Sequence, residues 1–476
     1  MSKTIGWDRR LAVSGNGKNL VGHAGAVLLR ACADRTGLTA ALSAVMPSST
    51  AADWWDRGVT VVATAVAIVL GAVCMSDVER LWAQQAAVFG TPASDSTINR
   101  TLAAVDEDLL AKVASARARV RRHVWALLTL RPGGFPWLVV AGKRLAGWIV
   151  IDIDATLITA HSAKAGAAVT FKKTYGHHPL AAWCANTAES LAMLLRPGNA
   201  GSNTVTDHIT VLTEALKQIP GASAAKILVR IDGAGATHDL LEHLEGLNTT
   251  RRTVRYSVGW KMTDADETAI AQLPASAWTE AIGQDGTVQD DCHVAELTGL
   301  STRDGWPKRQ RLLVRRSRPS RRHLKKLTDF ERKTGWRYQI IATNIGRMWG
   351  VAGSHHPQWL DVLHRAHAGV EDKVRTNKAM GLGKLPSSAW ATNCGWLLAA
   401  NLAADLDAWM RLLGLHDIDG LADAEPATLR YRLWHLPAKL TRHARRRTLA
   451  ISRDWPWREA FLTCWNRLTT LPPAPA

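Results

Sequence analysis

Three segments far apart in the chain each bring an acidic residue to a regular element, two at strand ends and one on a helix face, and together they constrain the fold more than any other feature. The first, WIVIDIDATLITAH, covers residues 148–161, where a β-branched apolar run sets Asp152 and Asp154 on one face of a strand. The second, ILVRIDGAGATHDLLEHL, covers residues 227–244 and places Asp232 at the end of another apolar strand, before a glycine-rich turn and a helix. The third, LHRAHAGVEDKVRTNK, covers residues 363–378 and reads as a helix with Glu371 on the same face as His364, His367 and Lys378. Two acids at strand ends and one on a helix suit a magnesium-dependent phosphoryl-transfer core. Hard oxygen ligands would hold two divalent ions, one activating the attacking oxygen and the other stabilising the leaving one. Periodicity alone does not separate Asp152 from Asp154.

The charge balance points to a polyanionic partner. Lys and Arg number 59 against 41 acidic residues, a formal charge of +18 over 476 residues, and each phosphate neutralised by such a surface releases counterions and strengthens binding. Nucleic acid is the first candidate. The six cysteines, Cys32, Cys74, Cys184, Cys292, Cys394 and Cys464, include no Cys-x2-Cys pair, so a zinc ribbon is not indicated and reduced core residues are expected. The opening MSKTIGWDRRLAVSGNG has no apolar stretch of the secretory kind, and the run from Val59 to Met75 is short and alanine-rich. A buried helix, no membrane association and a cytoplasmic location are expected. The 21 tryptophans suggest no function.

Residues 20–130 carry helical spacing throughout and predict an all-helical N-terminal region. Within it, residues 91–105 offer a cap at Ser94 or Asp95 and then Thr97, Asn99 and Arg100 on an exposed face. After the helix expected at 76–88, this could be the recognition half of a helix-turn-helix; a solvated polar face explains the same residues. Past the linker RPGGFPW, strands are predicted at 148–159, 167–172 and 190–195, a helix at 204–218, a strand at 226–231 and a helix at 236–247. That order suits an RNase H-like α/β core, although the pattern does not fix the order of strands in the sheet. Short strands dominate residues 250–345, and a long apolar helix is expected over 387–413.

Residues 308–326, KRQRLLVRRSRPSRRHLKK, hold ten Lys or Arg and no acid. So long a run without a counter-charge predicts contact with the DNA backbone through Arg315, Arg316, Arg321 and Arg322, while a merely solvated face is the competing view. A zinc site on His364, His367 and Glu371 lacks a third nitrogen or sulfur donor. Phosphate-binding loops are not matched: Gly233 to His238 has only two glycines, and MGLGKLP lacks the Ser or Thr of a Walker loop.

These motifs resemble those of the DDE transposases of bacterial insertion sequences, in particular the insertion-sequence 1380 family within the insertion-sequence 4-like branch. The resemblance extends from about residue 20 to about residue 460. The family's Asp-x-Thr strand is matched by Asp154 and Thr156, and its Arg-x-Asp strand end by Arg230 and Asp232. Its helical Tyr-x2-Arg-x3-Glu-x6-Lys pattern reads here as His364, His367, Glu371 and Lys378, so histidines replace both the tyrosine and the arginine. The resemblance implies that Asp154, Asp232 and Glu371 are catalytic and bind Mg²⁺, with Mn²⁺ as a substitute, and that Asp152 is the rival first ligand. It favours Asp154 through Thr156. His364, His367, Lys378, Arg100 and the four arginines above are expected to contact DNA. The implied architecture is α/β: an RNase H-like catalytic core at 136–250 and 346–415, a β-rich insertion domain at 251–345, a helical N-terminal DNA-binding region at 1–135 and a basic, Trp-rich region at 416–476. The implied partners are double-stranded DNA, as terminal inverted repeats and target, and a second copy of the chain when paired ends are bound. A nuclease without strand transfer and a non-catalytic DNA-binding derivative are the rival functions.

Overall fold

The strand that carries Asp152 and Asp154 lies in the middle of the largest sheet, which is why its sequence is nearly continuous in Ile, Val and Trp. A strand covered on both faces has no solvent side to alternate toward. The computed structural model describes residues 11–51, 54–301 and 305–475; the first ten residues of the opening segment read above lie outside them. Among the described residues nine strands share this sheet. They are β1 (Trp148–Ala155), β2 (Leu180–Cys184), β3 (Ser190–Leu194), β4 (Lys226–Ile231), β5 (Thr253–Trp260), β6 (Thr279–Ile282), β7 (Val288–Glu296), β8 (Arg311–Ser317) and β9 (Arg337–Thr343). Their order is β6-β7-β8-β9-β5-β4-β1-β2-β3. Strands β1, β4 and β5 run parallel, and every other neighbour pair is antiparallel.

Several expectations change here. Strand β2, LAAWC, is not among the predicted strands, because two alanines and no β-branched residue give it no strand signature; it forms because all five residues are buried beside β1. The predicted strand at 167–172 shrinks to Ala168–Val169 within a small three-stranded arm. The segment read as a β-rich insertion, 251–345, contributes β5 and then β6 to β9 to the main sheet. Strand β9 pairs with β5 from Ser257↔Thr343 to Trp260↔Ile340, and Val314 and Ile340 share one apolar cluster with Ile151 and Val229.

The N-terminal helices include α1 (Arg57–Leu70), α2 (Asp95–Ala103) and α3 (Glu107–Leu128); beyond the sheet's first half come α4 (Val205–Gln218), α5 (Pro357–Arg365), α6 (Val370–Asn377) and α7 (Trp390–Trp409). Helix α1 is capped by Asp56, whose carboxylate accepts from the Val59 amide at 2.8 Å, and it is buried almost throughout. Among the described residues no single helix is long and apolar enough to cross a membrane, and the apolar pair formed by α1 and Met75–Ala83 is bent by 88°. The first and last parts of the chain are not separate bodies. Leu28, Val62, Leu102, Trp396, Leu406 and Leu468 belong to one core, and Leu20–Val21 pairs with Ala438–His443. Gly395 permits the close crossing of α7 over α2: a Cβ there would lie 2.2 Å from the Leu102 carbonyl oxygen.

A buried polar network fastens this helical body to the sheet. From α3, Arg117 donates to Asp405 of α7 at 2.8 Å, and Arg121 donates to Asp405 at 2.7 Å and to Glu189 at 2.8 Å. The indoles of Trp125 and Trp409 both donate to Glu189 at 2.7 Å, so its buried charge is fully engaged. Glu189 closes the β2–β3 turn, and the network thereby fixes the sheet edge next to the site.

Candidate active site

Parallel pairing of β4 with β1 sets Arg230 opposite Asp152 and Ile231 opposite Ile153. One step further along that register, Asp232 stands beside Asp154. Because side chains alternate across a sheet, Asp152, Asp154, Arg230 and Asp232 share one face. The two rows have opposite electrostatics. In the inner row Arg230 donates from Nε to Asp152 Oδ1 at 2.7 Å and from Nη2 to Oδ2 at 3.0 Å, while its Nη1 donates to the Leu363 carbonyl of α5 at 3.1 Å. Asp152 also meets His367 Nδ1 at 3.1 Å and Lys373 Nζ at 3.7 Å. Burial by itself would raise the Asp152 carboxyl, but Arg230, His367 and Lys373 outweigh it and hold the group well below the usual carboxylate range.

In the outer row, acids face acids. Burial, then the negative charge of Asp232 and, more weakly, of Glu371, pushes the Asp154 carboxyl up to about 6, against an opposing hydrogen bond from the Ala155 amide. Asp232 lies exposed at the strand end and accepts from the Ala234 amide at 2.9 Å. Glu371 is exposed in the first turn of α6, where the positive end of the helix favours a carboxylate. Thus Asp232 and Glu371 both lie near enough to Asp154 for their charges to act on it. Among the described residues no three His, Cys, Asp or Glu side chains stand close enough to hold one metal ion as they are.

Several expected site residues are placed elsewhere. Asp152 is wholly buried and saturated by cations, which corrects its assignment as a metal ligand. The helix expected over 363–378 is present and tightens to 3-10 winding at Ala366–Gly369; along it His364 is half-buried and His367 buried, whereas Glu371 and Lys378 are exposed. His364 Nδ1 lies 3.0 Å from Ser257 Oγ, and burial followed by His367 and Arg230 pushes its pKa down to about 3. His367 is buried against Asp152. Neither is presented to a DNA backbone, and that expectation is corrected for both. Arg315 is held by Asp361 at 2.9 Å and Gln289 at 2.8 Å, so it too is committed internally.

Others remain available. Arg316 lies 4.1 Å from the Trp278 ring and 4.7 Å from that of Trp336, while Arg318 covers Trp336 at 4.1 Å. Arg321, Arg322, Lys378 and Arg100 are exposed. Thr97, expected beside Arg100 on an outward face, is instead buried and receives a hydrogen bond from Arg57 at its carbonyl. Lys378 has its pKa lowered by partial burial and by the nearby charge of Lys172. Sequence reasoning missed Lys373 and the pairing role of Arg230. The alternation of Arg230 with Asp232 was visible, but its meaning depends on a register that periodicity does not contain.

The family model described as Transposase DDE domain group 1 matches residues 3–473. No curated protein matches the chain. Among solved structures, the piggyBac transposase synaptic complex with hairpin DNA is similar with a TM-score of 0.42 at 10% identity, covering 86% of this chain and 78% of that one, a likeness too slight to argue from.

Proposed function

The chain belongs to the DDE transposases of domain group 1, and from that premise we propose that it cuts the ends of a bacterial insertion sequence, of the insertion-sequence 1380 kind, and joins them to target DNA. The observation that carries the proposal is that the β1–β4 register brings Asp154 and Asp232 side by side at the sheet end, with Glu371 in the first turn of α6 near enough for its charge to reach Asp154. Repulsion among carboxylates is tolerated where a cation normally sits between them. The strand order β3-β2-β1-β4-β5, three antiparallel and then two parallel, supports reading the core as RNase H-like, with β6 to β9 added at one edge.

The donor set fits magnesium: three hard carboxylates on an open sheet end, while the His367 imidazole, near enough to act on Asp154, is bonded to Asp152. Asp154, Asp232 and Glu371 would hold the ions, with Mn²⁺ able to replace Mg²⁺. Bound there, the ions would supply the Lewis acidity that activates an attacking oxygen and stabilises a leaving one. The protein's own residues do the positioning. Arg230, His367 and Lys373 lock Asp152 and hence the alignment of β1 with β4. Lys378 and the exposed arginines beyond β8 would take DNA phosphates as point charges or forks. We further propose terminal inverted repeats as the DNA recognised, a homodimer on paired ends, and residence with the bacterial nucleoid in the cytoplasm.

The test uses Asp154→Ala, Asp232→Ala and Glu371→Ala on DNA carrying the inverted repeats that flank the gene. Each variant should lose cleavage and joining with Mg²⁺ while still retarding that DNA in a gel, because affinity rests on many cationic contacts. Full activity in any one of them overturns its assignment, and cleavage without joined product by the native protein would make it a nuclease.

A further inference from the structure

Directly after Asp154 the chain leaves the sheet to build an arm in which Ile158–Thr159 pairs with Tyr175–His177, and Tyr175–His177 pairs with Ala168–Val169. Its tip is a tight turn. The Lys173 amide donates to the Thr170 carbonyl at 2.9 Å, the Thr170 amide donates to the Thr174 carbonyl at 2.7 Å, and Lys173 takes a left-handed φ of 61°. Phe171 and Lys172 are therefore the two central residues of the turn, and Phe171 is 67% exposed. The ring leans on His178, with the centroids 5.3 Å apart, and Lys172 Nζ lies 5.6 Å from its centroid, so most of its surface still forgoes the burial that usually stabilises such a residue.

The arm is held rigid from its base. Lys164 donates to the Leu385 carbonyl at 2.8 Å, and His177 Nε2 lies 3.0 Å from the Ala165 carbonyl. Gly198 is packed so closely against the arm that a Cβ there would be 2.1 Å from the Gly176 carbonyl oxygen. The tip folds back toward the end of β1: the Phe171 ring rests against His178, the Thr156 amide donates to the neighbouring Pro179 carbonyl at 3.0 Å, and Ala181 pairs with Asp154. Among the described residues no carboxylate pairs with Lys172, Lys173 or Lys378. An exposed ring flanked by unpaired ammonium groups has the chemistry of a nucleic-acid stacking platform: the ring takes a base face, and the cations take the phosphates on either side. A protein or lipid partner would not explain why this tip stands beside a phosphoryl-transfer centre.

We infer that Phe171 stacks on one unpaired base of the DNA end beside the phosphate to be cut, with Lys172 and Lys173 holding the backbone around it. The inference rests on the DNA reading above. The full chain is tested with two short DNA probes in Ca²⁺, a blunt duplex and the same duplex with a single-stranded overhang carrying one 5-iodouracil. Illumination should cross-link the iodouracil to Phe171. Phe171→Ala should weaken binding to the overhang probe about ten-fold or more while leaving the blunt duplex unchanged, and Phe171→Trp should restore it. Equal affinity of native protein and Phe171→Ala for the overhang probe overturns the inference while the function stands. Loss of self-association in Phe171→Ala, with DNA binding unchanged, also overturns it and makes the tip a contact between copies. If the native protein binds neither probe, the DNA reading falls first and the inference with it.

Discussion

Arg230 grips Asp152 through two hydrogen bonds across the parallel β4–β1 pair, Nε to Oδ1 at 2.7 Å and Nη2 to Oδ2 at 3.0 Å, in a position where neither residue meets solvent. Two residues along the same strands, Asp154 and Asp232 repel instead. A saturated ion pair beneath an unsaturated acidic pair is how one sheet face provides both a rigid floor and a cation-binding rim.

Removing one partner of the floor should therefore cost stability. Asp152→Ala leaves Arg230 buried without its counter-charge, and denaturant unfolding should show a loss of about 3–5 kcal/mol. Because the Asp152 pKa is depressed in the folded protein, its contribution is complete above the ordinary carboxylate pKa and is lost as pH falls through the lower folded value. A variant that unfolds like the native protein but has lost Mg²⁺ affinity would restore Asp152 as a ligand.

At the rim the sign reverses. Asp154 titrates near 6 in the fold, above its usual value, so in metal-free protein its ionisation opposes folding between the ordinary carboxylate pKa and the folded one, and the penalty is fully present above that. Asp154→Asn should therefore raise metal-free stability at neutral pH by about 1–3 kcal/mol and make no difference at about pH 4. Mg²⁺ should narrow the gap by stabilising the native protein alone. Thermal melts at the two pH values decide this, and lower stability of the variant at neutral pH would contradict the repulsion.

The basic run divides into two kinds of arginine. Arg315→Ala breaks a largely buried pair with Asp361 and should lower the melting temperature with little effect on the salt dependence of DNA binding. Arg321→Ala with Arg322→Ala should do the opposite, flattening the log-log salt slope by about 0.9 for each phosphate that is no longer neutralised. An unchanged slope would show that the exposed pair is merely solvated.

His364 should contribute no charge near neutrality, since its pKa is pushed down to about 3. His364→Gln should then keep the native pH–activity profile from about pH 7 upward, where a protonated imidazole of ordinary pKa would be losing its charge. An inflection that disappears in the variant would mean that bound DNA recharges the ring.

The sequence by itself determined the pieces that rest on local chemistry. The apolar run read as a strand over 148–159 is the buried strand β1, the strand at 226–231 and the helix near 204–218 followed from their patterns, and Asp154, Asp232 and Glu371 stood out as two acids at strand ends and one on a helix face. What it did not contain was pairing. Strand β2 has no local strand signal and exists because β1 needs a neighbour, and the segment that reads as a β-rich insertion adds strands β6 to β9 because the edge of β5 was free to be extended. The division of labour between Asp152 and Asp154 was also undecidable from spacing, since both occupy the same face. It follows from a register that puts a cation opposite one and an acid opposite the other, and a long-range register is fixed only when strands from distant parts of the chain meet.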